Sequence, residues 1–215
     1  MASHLSSPSA KKYFLTPWTL TTPTHPALTF QRATPSHISH WLPLVTNPAN
    51  NIHMDDVKSL LWTPSDISAW KTRTITNYNK SLTTYHQLAV LIAENGKFVG
   101  YGDLWLLENG NFNVGVVLDV SVQGRGLGRL CTAVLVQLGF EVGEKGVEAG
   151  TMKVNGGFRG VMRSLGVVEE EKLVVAEGRG ILAELSYTVD REKWRDVELD
   201  VVWGEGTLGR VDEEV

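Results

Sequence analysis

Three glycines stand at alternate positions, Gly124, Gly126 and Gly128, in the stretch VLDVSVQGRGLGRL that spans residues 117–130. A glycine inside an element costs about 0.5–1 kcal/mol relative to alanine, so three together need a physical reason. An apolar, strand-like run ends just before them and a helical pattern opens just after. Glycines at such a junction let successive main-chain N–H groups converge, and a helix N-terminus adds about half a positive charge. That is a cradle for an anion, and a diphosphate fits it. Arg125 and Arg129 flank the loop and can reach phosphate oxygens. A nucleoside-triphosphate loop is excluded, because Lys and Ser/Thr must follow its last glycine, whereas Arg129 and Leu130 follow here. A dinucleotide site needs Gly-x-Gly-x-x-Gly and an acid about 20 residues further on. Glu148 holds that offset, but the glycine spacing differs and antiparallel strands precede the motif.

The elements that must position this loop are legible on either side. With 215 residues, 42% hydrophobic and 20% charged, the chain has the make-up of one globular domain. No stretch of about 18 uncharged apolar residues spans a membrane. A net charge of −4 argues against a nucleic-acid partner. The single cysteine, Cys131, rules out an internal disulfide framework and suits a reducing, cytoplasmic compartment. The first residues are Ser-rich and acid-free without an apolar core, which fits a plain tail or a transit peptide better than a secretory signal. Pro8, Pro17, Pro23 and Pro26 make residues 1–27 read as a loosely ordered lead-in. Residues 28–195 read as the folded domain, and residues 196–215 as a C-terminal strand and acidic tail.

Within the domain, ALTFQRA predicts a first strand. Thr34–Pro35 and Thr63–Pro64 each place a capping hydroxyl before a first-turn proline, predicting two helices. QLAVLIAE, the Asn95–Gly96 turn and KFVGYGDLWLL predict a hairpin, with FNVGVVLDVSV as its third strand. A helix from Leu127, a parallel strand at VEAGTMKV, a helix over 157–165 and strands around Leu173 and Leu185 follow. The expected order is β-α-α-β-β-β-α-β-α-β-β, an α/β fold with one mixed sheet flanked by helices.

The motif QGRGLG matches the Q/R-x-x-G-x-G/A signature of the GNAT superfamily of acetyl-CoA-dependent N-acetyltransferases. VGVVLDVSVQGRGLG resembles the GY-x-L-D-P-x-x-Q-G-x-G segment of the ribosomal-protein-alanine (Rim-type) subgroup. Asn155, Arg159 and the run from Val161 to Val167 resemble its N-x-x-S-x-R-V-M-E-K-L-G-F stretch. Tyr187 and Trp194 resemble its closing Y-S-x-x-x-x-x-W. The resemblance implies a sheet splayed beside the glycine loop, with acetyl-CoA slotted into the gap. Main-chain groups of Leu118, Asp119 and Val120 would line the pantetheine. Amides of Gln123, Gly124, Arg125, Gly126, Leu127 and Gly128, with Arg129 beside them, would hold the diphosphate, and Asn155 would touch the arm from the far side. The chain departs from the pattern at Val120 for proline, Phe158 for serine and Val167 for phenylalanine. Met162 stands where many members carry a tyrosine that protonates the leaving thiolate.

The reaction so implied needs a neutral amine. At pH 7, deprotonating an α-amine costs about 1 kcal/mol and a lysine about 4–5 kcal/mol, so a site without an evident strong base suits a protein N-terminus or a weakly basic small amine. The candidate bases are Asp119, Asp103 and Glu108. His86 could act through water, while Cys131 has the helical spacing of a core residue. His37 and His40 lack carboxylate or thiolate partners, so no metal is expected. Trp41, Trp62 and Trp70 lie in the N-terminal helical layer, where one could wall an acceptor pocket, and residues 47–64 have the length of a gating loop. The expected partners are acetyl-CoA and an amine acceptor, with no nucleic acid and no membrane; a homodimer is open. An acyl-CoA binder without catalysis and, more remotely, a dinucleotide oxidoreductase stand as alternatives.

Overall fold

The computed structural model describes residues 7–53, 62–143, 145–176 and 180–212. After an opening helix α1 (Pro8–Leu15) and strand β1 (Trp18–Thr21), the chain runs β2 (Leu28–Arg32), α2 (Ile38–Thr46), α3 (Pro64–Thr84), β3 (Gln87–Glu94), β4 (Lys97–Leu106) and β5 (Phe112–Leu118). It continues through α4 (Leu127–Val142), β6 (Val147–Met152), α5 (Gly156–Ser164), β7 (Glu169–Ala176), β8 (Gly180–Val189) and β9 (Asp200–Trp203). From β2 to β8 this is the expected order. The strands form one nine-stranded mixed sheet, β7-β8-β6-β5-β4-β3-β2-β1-β9.

Local chemistry accounts for the boundaries. In α3, Thr63 Oγ1 accepts from the Asp66 amide and the Asp66 carboxylate accepts from the Thr63 amide, which closes a capping box. The helix stops where Tyr85 turns left-handed, with φ of 55°. Asn95 and Gly96 both have positive φ, 50° and 78°, as a tight hairpin turn requires. Every residue of β3 from Leu88 to Ala93 is buried, because helices cover both faces of the sheet there. On one face Phe14, Phe30, Val134 and Leu138 join a large core under α1 and α4. On the other, Trp41, Trp70 and Ile75 of α2 and α3 pack on Ala89 and Leu91.

The lead-in differs from expectation. Residues 8–21 form α1 and β1, and Phe14, Trp18 and Leu20 are buried at 0%, 3% and 0% exposure. The prolines that suggested looseness sit where they do no harm: Pro8 at the first turn of α1 and Pro17 between elements. The C-terminal strand pairs with this segment, Trp18 opposite Trp203 and Thr21 opposite Asp200. Lead-in and tail therefore build one edge of the sheet together.

One junction in the sheet is open. Strands β5 and β6 run parallel but pair only at Phe112–Val147 and Asn113–Glu148. Beyond that point they part, so β5 from Val114 to Leu118 has no strand partner on its β6 side. The splay expected beside the glycine loop is present, and the loop follows directly.

Candidate functional site

The path from β5 into α4 is held by side chains of the turn itself. Asp119 accepts hydrogen bonds from the Ser121 amide at 2.9 Å and the Ser121 hydroxyl at 2.5 Å. From 69 residues upstream, Asn50 donates to Asp119 Oδ2 at 3.2 Å, while its own Oδ1 accepts from the Val120 amide at 2.8 Å. Gln123 Nε2 donates to the Leu118 carbonyl at 2.9 Å. Gly124 and Gly126 then turn left-handed, with φ of 74° and 82°, and Gly126 is the N-cap of α4. A side chain at either would meet nothing within 4 Å, so the first two glycines serve conformation and not close packing. A Cβ at Gly128 would stand in ordinary contact, 3.5 Å, with Val161. At the helix start, among the amides of residues 124–129, only that of Arg129 bonds to a described residue, the Gly126 carbonyl, at 3.2 Å. The remaining amides cluster at the positive end of a 16-residue helix. The loop lies open at the mouth of the β5–β6 gap, with the chemistry to cradle an anion.

The flanking side chains are less free than their spacing suggests. Arg125 forms a two-pronged ion pair with Glu94, at 2.9 and 2.6 Å, on the surface. Arg129 is exposed on α4. Across the gap, Asn155 caps α5, accepting from the Phe158 amide at 3.0 Å and donating to Thr151 Oγ1 at 2.9 Å. Both ends of its amide thus serve the local fold. Phe158 packs edge-on against Tyr187, with ring centroids 5.8 Å apart, and Met162 is wholly buried, so neither departure from the family pattern offers an acid to the gap. Glu148 accepts from Asn109 and Asn111 at 2.7 Å, where β5 and β6 are still paired. It therefore sits at the far end of the strands from the glycines, which removes the dinucleotide reading.

On the α2–α3 side of the sheet lies a cavity of about 230 Å³. Trp41, Trp62, Trp70 and Tyr101 wall it, and Arg32, Arg73 and Asp103 supply its charges. Trp41 and Trp70 meet edge to face at 5.6 Å. Asp103 Oδ2 accepts from Gln87 Nε2 at 2.9 Å and Trp105 Nε1 at 2.7 Å. Burial pushes this carboxyl above the usual carboxylate range, although those two hydrogen bonds pull the other way. Asp103 stands opposite Gly115 on β5, and a Cβ there would approach Asp103 Oδ1 at 3.7 Å. The bare backbone of Gly115 thus lies between the carboxylate and the open side of β5.

The other candidates lie elsewhere. Glu108 is exposed in the β4–β5 turn and does not line the cavity. Hydrogen bonds from Ser121 hold Asp119 below the usual carboxylate range, which makes it a poor proton acceptor. His86 is bound through Nδ1 to Thr84 Oγ1 at 2.8 Å, and burial lowers its basicity. Cys131 is fully buried and its thiol is pushed up to about 12. Among the described residues no cluster of His, Cys, Asp and Glu could hold a metal. No described helix is long and apolar enough to cross a membrane. The middle of the expected gating loop, residues 54–61, lies outside the described residues.

Residues 27–168 match the family described as Acetyltransferase (GNAT) domain. No curated protein sequence is significantly similar. Among solved structures, Mycobacterium smegmatis RimJ in complex with CoA-disulfide superposes with a TM-score of 0.64 at 18% identity, over 85% of this chain and 90% of that one. RimL, a ribosomal L7/L12 α-N-protein acetyltransferase in complex with coenzyme A, gives 0.61 at 18% identity, covering 78% and 96%. Spermidine N-acetyltransferase from Vibrio cholerae, in complex with CoA and spermine, gives 0.58 at 14% identity, covering 75% and 95%. At these identities the likeness is one of fold; the family match spans about two thirds of the chain. The chain belongs to the GNAT acetyltransferase family and is an acyltransferase.

Proposed function

We propose that this protein uses acetyl-CoA to acetylate an amine, with the glycine loop as the diphosphate site and Asp103 as the base. The observation that carries the reading is the set of unengaged amides at the start of α4, placed where β5 parts from β6. The pieces present fit the cosubstrate: two left-handed glycines, an outward helix start, and an unpaired strand edge for an amide-bearing arm. Acetyl-CoA supplies the acetyl thioester; the amine nitrogen forms a C–N bond to its carbonyl carbon as the C–S bond breaks, and the electron pair leaves on sulfur.

The chain's own residues prepare that exchange. Asp103 takes one proton from the incoming ammonium, and Gln87 and Trp105 fix its orientation through Oδ2. A carboxyl raised by burial is better matched to an amine than an ordinary one, since the two pKa values lie closer together. The second proton released from nitrogen neutralises the thiolate, directly or through water. With Met162 in the core, no side-chain acid at that position supplies it; at a thiol pKa near 8.5 the missing acid costs only about 2 kcal/mol at pH 7. Holding amine and thioester together supplies several kcal/mol on its own. Acceptors compatible with this chemistry are a protein N-terminal α-amine or a small amine.

Thiol release from acetyl-CoA, followed over a panel of amines and N-terminal peptides, tests the reading. Acceptor-dependent release supports it. Binding of CoA without turnover on any acceptor would instead make the protein a non-catalytic acyl-CoA binder.

A further inference from the structure

Arg32 is an unusual residue for the floor of an acceptor cavity. It ends β2 at 3% exposure, inside the protein. Its Nη1 donates to the Ala89 carbonyl and its Nη2 to Ser81 Oγ, each at 3.1 Å, and the Tyr78 ring lies 5.5 Å from the guanidinium carbon. A guanidinium has five N–H donors. These contacts use two, and Nε has no partner. Among the described residues no carboxylate forms an ion pair with it. A buried cation with no counter-charge among the described residues calls for an anion.

The same cavity holds a second cation, Arg73, exposed on α3, and one carboxylate, Asp103. Asp103 and Arg32 flank one residue: Ala89 pairs across the sheet with Asp103, and its carbonyl receives Arg32 Nη1. Both side chains line the cavity and each hydrogen-bonds to other groups, so a molecule carrying both signs can meet both. Resting on the acetyltransferase reading above, we infer that the acceptor is a small amine that also carries a carboxylate, of the free α-amino acid class. Its ammonium faces Asp103, its carboxylate takes the spare Nη N–H groups of Arg32, and its side chain lies against Trp41, Trp70 and Tyr101. A cavity of about 230 Å³ is below the size that houses drug-sized ligands, as an amino acid requires. A peptide N-terminus presents a neutral amide where Arg32 offers charge, and so leaves the cation unmatched.

Acetylation kinetics with three related acceptors test this: phenylalanine, phenylalaninamide and phenethylamine, which share a ring and an amine but differ in the carboxylate. The expected kcat/KM for the free acid exceeds that for either neutral analogue by about 10- to 100-fold, the range of a charge-assisted hydrogen-bonded contact. In Arg32→Met that ratio falls toward one; Arg32→Lys, the gentler variant, keeps charge without the fork and falls in between. Equal or better turnover of the neutral analogues, or a ratio unchanged in a folded Arg32 variant, overturns the acceptor assignment alone. No acetylation of any of the three, with amines of other classes also inert, overturns the acetyltransferase reading with it.

Discussion

Asn50 and Asp119, 69 residues apart in the chain, grip the same turn. The Asn50 amide donates to the Asp119 carboxylate at 3.2 Å, and its oxygen accepts from the next backbone amide, Val120, at 2.8 Å. The helical layer that walls the cavity beside Asp103 is thereby tied to the strand end that leads into the glycine loop. Asn50→Ala removes both bonds and leaves the Val120 amide without its acceptor. The loop geometry loosens, so the KM for acetyl-CoA rises about three- to tenfold with a smaller change in kcat, and Tm falls by a few degrees. An unchanged KM for acetyl-CoA would show that this tie plays no part in cosubstrate binding.

Asp103→Asn keeps an oxygen for Gln87 and Trp105 but cannot take a proton. The expected loss in kcat/KM is about 100-fold, the lower end for a general base. The wild-type profile falls as pH drops through the raised pKa of Asp103, above the usual carboxylate range, and this limb vanishes in the variant.

The same residue makes a stability prediction of opposite sign. Because burial raises its pKa, the folded chain holds the Asp103 proton more tightly than the unfolded chain. Stability therefore declines as pH climbs from the ordinary carboxylate value through the raised one. Asp103→Asn should then have a Tm at pH 7 equal to or above that of wild type, with the gain disappearing below the ordinary carboxylate pKa. A Tm several degrees lower at pH 7 would mean that the carboxylate stabilises the fold.

Phe14 tests the N-terminal segment. It is fully buried, edge-on to Tyr85 at 5.4 Å. Phe14→Ala should cost about 3–5 kcal/mol in denaturant unfolding, as for other buried aromatics. A loss below about 1 kcal/mol would return residues 8–21 to the status of an appendage.

How much of this was legible in the sequence follows from how far each signal reaches. The element order from β2 to β8 and the α/β class rest on periodicity, caps and the Asn95–Gly96 turn, all contained within short windows. The glycine loop was equally local. The order of residues 8–21 is hidden in the sequence because Pro17, Pro23 and Pro26 punctuate this region densely, while what orders it is distant: β9, nearly 180 residues later, supplies the pairing edge for β1. Asn50, Gln87 and Arg32 were invisible as site residues for the same reason, since each acts on a partner at least 16 residues away. Three carboxylates looked alike as bases. Only the fold separates Asp103 in a cavity from Glu108 in a turn and Asp119 tied down by Ser121.

The most direct test is calorimetric titration of coenzyme A into the full chain and into two loop variants. Gly126→Val forces a branched residue into φ of 82°, whereas Gly128→Ala adds a methyl that meets Val161 at an ordinary 3.5 Å. One CoA should bind per wild-type chain, with a loss of affinity of tenfold or more in Gly126→Val and little change in Gly128→Ala. No CoA binding by the wild-type chain, or full affinity in a folded Gly126→Val, would contradict it.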